Sequence, residues 1–368
     1  MYKEDNEKFW CAFARLTKVS SSFVNTVYKY FGSIELAWNA RAYDLWKIDG
    51  LLKNSIESFL KERDKINPEE CLNYIKERNI GFIHPEDERY PYLLKQIDNP
   101  PAGLFVLGDL SLCNLERTIA VVGSRRASEN SRTTLKNILS DFANSDICIV
   151  SGLAEGIDTV AHKTAVENNI KTIAVIGGGF DKIYPKSNIG LFNKIINEGH
   201  GAILSEYWMD SDALSWHFPV RNRIVSGLSK GVLVAEAALK SGAMITANLA
   251  LEQGRELMCM PGLISNPNTQ GIYKLLKTGA SMITSSRDIL DTMGWEMKKS
   301  GLKKEKKYLN LTQQEEFIVE CIKIDSLTLD ELTIKTNLNI NDLMVILTKL
   351  ELQGIISKTN TERYTAAV

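Results

Sequence analysis

Much of what a cofactor-driven or membrane-bound protein needs is missing from these 368 residues. Lys and Arg (44) balance Asp and Glu (45) to a net charge of −1, so any nucleic-acid binding must use a local groove rather than a basic coat. No apolar run approaches the roughly 18 residues of a membrane span. Residues 1–7 are charged and lack the apolar stretch of a secretory leader, so no membrane association and a cytoplasmic location are expected. The six cysteines, at 11, 71, 113, 148, 259 and 321, form no CxxC pair, which argues against a disulfide framework or zinc site and for buried thiols. Histidine is scarce, at 84, 162, 200 and 217, and His162 falls inside a helical run after Asp158, where it reads as structural. The first βα turn has no G-x-G-x-x-G and no acid closes the second strand to hold a ribose, so NAD and FAD are not expected. G-x-x-x-x-G-K-[ST] is absent too, which excludes a P-loop. No cofactor and no metal are expected.

What is present falls into blocks. Residues 1–75 read as an all-helical domain, with periodic apolar positions over 9–16, 23–31, 34–46 and 56–65, and with Ser20–Ser22, Gly32 and Ser33 as caps. The turn from Lys47 to Leu51 is either a plain interhelix turn or a faint helix-hairpin-helix. Residues 76–112 are an extended, proline-clamped approach. From about 118, β-branched runs at 118–122, 147–150, 171–176, 202–204, 231–235, 256–260 and 280–283 alternate with helical stretches. Apolar strands of this kind, separated by helices, predict an α/β doubly wound, mostly parallel sheet within residues 76–295. Residues 296–310 carry six lysines and read as a linker. Residues 311–368 read as a winged helix whose helices open on Thr312-x-x-Glu315, Thr328-x-x-Glu331 and Asn339-x-x-Asp342. Its would-be recognition helix, 340–352, offers only Lys349 as a base, with Ile340, Leu343, Leu347 and Leu350 facing the core and Met344 and Leu352 left outside. It is therefore a poor sequence reader, better suited to protein contact.

In a parallel sheet, ligands sit beyond the carboxyl ends of the strands. Those ends here carry Gly123-Ser124-Arg125-Arg126, Ser151-Gly152, Gly177-Gly178-Gly179, Ser205-Glu206, Glu236 with Ser241-Gly242, and Pro261-Gly262. Small residues let backbone amides approach an anion, and Arg125 and Arg126 add fixed charge. The stretch Phe218 to Ser229 sets one aromatic and two arginines around Asn222. It is equipped to stack a base and grip phosphate, or else Arg221 and Arg223 pair with carboxylates at a crossover. Ser151 and Ser205 are the candidate nucleophiles, but no histidine is tied to either. Glu155, Asp158, Glu206 and Glu236 are chemically able to hold a metal, but are expected rather to pair with Arg221, Arg223 and Arg255, or to cap helices.

Together these motifs resemble the DNA-processing protein A (DprA or Smf) family. The segments that carry the resemblance are Tyr90-Pro91, Asp98 to Gly108, Val122 to Arg125, Ile149 to His162, Thr172 to Pro185, Ser205 to Tyr207, Phe218 to Ser229, Glu236-Ala237, Ser241 to Ala247, Pro261-Gly262 and Gly279-Ala280. The resemblance implies an extended Rossmann-like domain that binds single-stranded DNA, flanked by an N-terminal helical domain and a C-terminal winged helix. It also implies homodimers that protect incoming DNA and load the RecA recombinase during natural transformation; no residue set announces catalysis, and an enzyme is not expected. Carried onto this chain, it makes Arg125, beside Arg126, the phosphate-gripping arginine. Ser151, Gly152 and Gly178 become backbone contacts, and Phe218 the groove aromatic, with Arg221, Asn222 and Arg223 beside it and Ser241 near. Two departures stand out: Ser131 where the family often has glycine, and Trp208 to Asp212 in place of a Pro/Gly-rich turn, which adds two acids.

The main rival is a Rossmann-like phosphoribohydrolase acting on nucleoside monophosphates. Its P-G-G-x-G-T-x-x-E signature is lacking, since Pro261-Gly262 continues as Leu-Ile-Ser-Asn-Pro. A transcription factor led by the winged helix is the third reading.

Overall fold

In the computed structural model, residues 4–199, 201–296, 311–324, 326–353, 355–358 and 363–366 are described. They form two compact units divided at residue 298. Almost all of the lysine-rich segment 296–310 lies outside the described residues.

The first unit is built on nine strands: β1 (Gly81–Ile83), β2 (Leu104–Gly108), β3 (Thr118–Gly123), β4 (Cys148–Ser151), β5 (Lys171–Ile176), β6 (Gly201–Ser205), β7 (Gly231–Glu236), β8 (Glu256–Cys259) and β9 (Ser281–Met282). Their order is β1-β2-β6-β5-β4-β3-β7-β8-β9. From β6 across to β9 every pairing is parallel, while β2 lies antiparallel on β6 and β1 antiparallel on β2. The parallel strands are those expected from the β-branched runs; β1 and β2 extend the sheet from the approach segment. The chain winds from β3 outward to β6, then returns to the other side of β3 with β7. The reversal point of this Rossmann-like sheet therefore lies between β3 and β7.

Alternate strand residues feed opposite faces. Ala120, Val122, Ile173, Val175 and Leu204 enter a core closed by the helices His217–Gly227, Gly242–Glu252 and Gln270–Lys277. Ile119, Val121, Ile149 and Leu233 enter one closed by Glu129–Ser140, Ile157–Glu167 and Ser286–Met293. Each of the Val, Ile and Leu side chains among these contributes about 1.5–3 kcal/mol when fully buried.

The helices before residue 78 pack on the β1–β2–β6–β5 side, where Phe13, Phe59 and Trp10 share one core with Phe82, Phe105, Ile176 and Ile203. Ser20 caps the helix Ser21–Phe31 by accepting from the Phe23 amide at 3.3 Å, and Gly32 closes it at φ +68°. Ser33 does the same for Leu36 at 3.4 Å, and such caps contribute about 1 kcal/mol each. The helix expected over 34–46 is broken into Ile34–Trp38 and Ala42–Leu45. Arg63 Nη1 donates to the carbonyls of Trp38 and Ala40 at 2.8 and 2.7 Å, satisfying the groups that the break exposes.

The second unit is the winged helix: helices Gln313–Ile324, Leu329–Thr336 and Ile340–Leu352, then a hairpin of β10 (Ile356–Lys358) and β11 (Tyr364–Ala366). Thr312, Thr328 and Asn339 all cap their helices, accepting from the amides of Glu315, Glu331 and Asp342, and the first two close full boxes through their own backbone amides. Leu343, Leu347 and Leu350 are buried, whereas Ile340, expected inside, is half-exposed in the first helical turn. Lys349 is held by Glu315 at 2.7 Å. Among the described residues no helix is long and apolar enough to cross a membrane.

Candidate nucleic-acid interface

The reversal point places the end of β3 beside the end of β7, where Gly123 pairs with Glu236 after a register shift. Ser124 N donates to Glu236 O at 2.7 Å, and Ile157 N donates to Ser124 O at 3.2 Å. Gly156, at φ +81°, lies under this loop; a Cβ there would come 2.2 Å from Ser124 O, so only glycine fits. The loop is thus stitched to two neighbouring strand ends, and it projects Arg125 and Arg126 outward. Both are exposed, and no carboxylate among the described residues lies within ion-pair distance of either.

Beneath the loop, the Glu236 carboxylate is fully buried at the N-terminus of the helix Glu129–Ser140. It accepts from Ser128 N at 3.1 Å, Ser128 Oγ at 2.6 Å and Ser131 Oγ at 2.7 Å. A dinucleotide's pyrophosphate would use that helix end. Here the chain's own carboxylate fills it, and Ser131 serves as one of its donors.

The helix His217–Gly227 brings Phe218 under Arg125, whose guanidinium carbon stands 5.1 Å from the ring centroid. Gly177 floors the ring: a Cβ on it would lie 3.1 Å from Phe218. One turn on, Asn222 Nδ2 donates to Gly242 O at 3.5 Å, joining the groove to Ser241 at the start of the helix Gly242–Glu252. Arg125, Arg126, Phe218, Asn222 and Ser241 are thereby gathered along one rim.

Five of the expected contact residues are buried. Arg221 is 3 % exposed; its Nη1 donates to Gly152 O at 2.6 Å and to Val175 O. Burial pushes its pKa down to about 10, against the pull of Asp158. The guanidinium lies so close to Gly152 that a Cβ there would come within 2.5 Å of Nη1. The Gly152 amide donates to Asp158 at 3.0 Å, and the Ser151 hydroxyl to Val121 O at 2.6 Å. Gly178 is buried against the chain at Ser211 and Ala213. Arg223 is the ion-paired arginine, donating to Glu206 at 2.6 and 3.0 Å. Burial lowers its pKa, yet Glu206 more than offsets this and leaves it raised.

The other carboxylates have duties of their own. Glu155 accepts from Ser187 Oγ at 2.9 Å, and Arg255 bonds the carbonyls of Leu93 and Gly227 rather than an acid. Of the two acids in the 208–212 turn, Asp212 is neutralised by Lys182 at 3.6 Å. Trp208 from that turn is buried against Phe105 and Tyr74. Gly179 is required there, because a Cβ would lie 2.1 Å from the Trp208 and Met209 carbonyls. The aromatic that sequence reasoning passed over is Tyr184, exposed, with its ring centroid 5.7 Å from that of Phe218.

The hydroxyl of Ser205, like that of Ser151, is committed to a backbone carbonyl, Gly178 O at 2.8 Å. His162 is fully buried with Nδ1 2.8 Å from Thr172 Oγ1, and burial, then the nearby Arg221 charge, pushes its pKa down to about 3. The unfolded histidine titrates near 6.5, so below that pH the unfolded chain takes up a proton that the folded chain refuses. Stability therefore falls as pH drops from about 6.5 towards 3. In His162→Asn, denaturant titrations between pH 4 and 6 should show this dependence weakened by one proton, about 1.4 kcal/mol per pH unit.

With this geometry in place, known proteins supply the relationship. The family model for DNA recombination-mediator protein A matches residues 81–294. The chain belongs to that family. The DprA winged helix domain matches residues 303–359. Among relatives of this chain, the DNA processing protein DprA of Bacillus subtilis is 39% identical over 242 residues, 66% of this chain and 79% of that protein. The X-ray structure of DprA from Streptococcus pneumoniae superposes with a TM-score of 0.68 at 34% identity, over 79% of this chain and 98% of that one. DNA processing protein A from Helicobacter pylori, studied for its single-stranded DNA binding mode, gives 0.53 at 30% identity, over 58% and 95%.

Proposed function

We propose that this chain binds single-stranded DNA without regard to sequence, along the rim at the β3–β7 strand ends. The observation that carries the reading is Arg125, without an ion-pair partner among the described residues, 5.1 Å above the half-buried Phe218 ring. A phosphate-binding charge and a base-sized apolar face are thereby available within one nucleotide's reach. Arg126, Asn222 and Ser241 extend the grip, while Ser151, Gly152, Gly178, Arg221 and Arg223 form the framework that holds it. Family membership supports the reading, as does the Helicobacter pylori relative studied for single-strand binding. Duplex DNA fits poorly, because stacked bases cannot reach a ring at the groove floor. Binding rather than catalysis is proposed, since both candidate serine nucleophiles spend their hydroxyls on carbonyls. Homodimerisation would set two such grooves on one strand and raise avidity. The same family relationship supports protection of incoming DNA and its delivery to the RecA recombinase in natural transformation.

The test is a 15–20-nucleotide strand against the same sequence as duplex. Stacking contributes about 1–3 kcal/mol per base, so Phe218→Ala should weaken single-strand binding by about tenfold. Arg125→Ala should do likewise. With about four phosphates neutralised, log K should fall with log salt at a slope near −3, less steep in Arg125→Ala. Equal retention of duplex and strand, or full affinity in both variants, overturns the reading.

A further inference from the structure

Resting on single-strand binding at this rim, we infer that Tyr184 is a second base-stacking residue, so that the groove holds two neighbouring bases rather than one. Tyr184 ends the glycine turn after β5, the turn that also floors Phe218 through Gly177. It is 51 % exposed, which leaves much of its ring open to solvent. The Tyr184 and Phe218 centroids are 5.7 Å apart with the planes tilted by 48°. A planar base lying flat on one ring meets the other at that same tilt and cannot stack on both. The rings therefore address successive bases of a strand opened between them. Arg125 lies 5.1 Å from Phe218, and the Asp181 carboxylate preceding Tyr184 is drawn away by Arg78 at 2.6 Å. The backbone between the two bases thus meets charge favourable to phosphate.

The experiment uses the full chain with a dT20 strand and with an abasic 20-mer of the same backbone. Tyr184→Ala should lose about five- to tenfold on dT20, the range of one base–aromatic stack, with an unchanged salt slope and no loss on the abasic strand. Tyr184→Phe should keep wild-type affinity, and photocrosslinking from 5-iodouracil should map to both rings. If Tyr184→Ala binds dT20 within twofold of wild type while Phe218→Ala drops tenfold, the two-base groove fails and single-strand binding stands. Equal losses on the abasic strand, or in Tyr184→Phe, would assign Tyr184 to the backbone through its hydroxyl and equally sink the stacking role. If Phe218→Ala and Arg125→Ala are also silent, the underlying single-strand reading is what has failed.

Discussion

Arg223→Ala should unfold with about 3–5 kcal/mol less free energy than wild type, because it strands a buried carboxylate. Glu206 and Arg223 side chains are only 12% and 10% exposed, and their contact is bidentate. The pair ends a chain of contacts. Ala102 N donates to Ser21 Oγ at 3.2 Å, Ser21 Oγ donates to Glu206, and Glu206 accepts from Arg223. Four elements meet there: the helix Ser21–Phe31, the approach to β2, the end of β6 and the helix that carries Phe218. For a unit of this size the loss corresponds to a fall in Tm of about 5–15 °C, readable by calorimetry. Removing both charges should cost far less: Arg223→Met with Glu206→Leu recovers most of the deficit, because apolar pairs of similar volume replace buried ion pairs well. If the double variant is as unstable as the single one, the ion pair is not the source. The single variant should also bind single strands weakly, since its Phe218 helix has lost one anchor.

The roles of Arg221 and Arg223 show how far the sequence could be read. Both were legible as groove arginines, and the alternatives of phosphate grip and ion pair were both open. Helical geometry, at about 100° per residue, puts Asn222 about 40° from Phe218 and Arg223 about 140° away. Asn222, and Arg221 at about 60° on the other side, can share the Phe218 face while Arg223 cannot, so that much was recoverable from spacing. The partner of Arg223 was not, because Glu206 lies on β6 and no local pattern ties it to the helix. Nor could spacing disclose that Arg221 turns under Gly152 to bond two carbonyls. The seven parallel strands announced themselves as continuous apolar runs, whereas β2 exists through pairing with β6, a contact across about 95 residues of chain, and β1 through pairing with β2. The break in the 34–46 helix has the same character, since Arg63, far along the chain, satisfies its carbonyls. Tyr184, likewise, becomes Phe218's neighbour only when β5 and the later helix are brought together.

The second large effect belongs to Glu236, which joins the fold to the DNA grip. Its carboxylate is fully buried and forms no ion pair among the described residues; amide and hydroxyl donors and the dipole of the helix Glu129–Ser140 stabilise it. Glu236→Ala leaves Ser128 N and Ser131 Oγ without their acceptor, leaves Ser128 Oγ only Ser131 Oγ at 3.0 Å, and opens a cavity. Unsatisfied buried donors cost about 1–3 kcal/mol each, partly recovered by relaxation, so a net loss of about 2–4 kcal/mol is expected. The same substitution frees the 124–128 loop from below, so single-strand affinity should fall by about tenfold although Arg125 and Arg126 are intact. Glu236→Gln keeps the shape and one acceptor oxygen and should fall between. A helix N-terminus stripped of its own carboxylate is an anion site. Inorganic phosphate at tens of millimolar should therefore raise the Tm of Glu236→Ala more than that of wild type, in thermal melts at matched ionic strength. A matched phosphate response in the two proteins would mean that Glu236 acts there through packing rather than charge. A phosphate response confined to the variant would mean that the fold fills its would-be pyrophosphate seat with its own glutamate, leaving Arg125 and Arg126 to meet an anion further out on the rim.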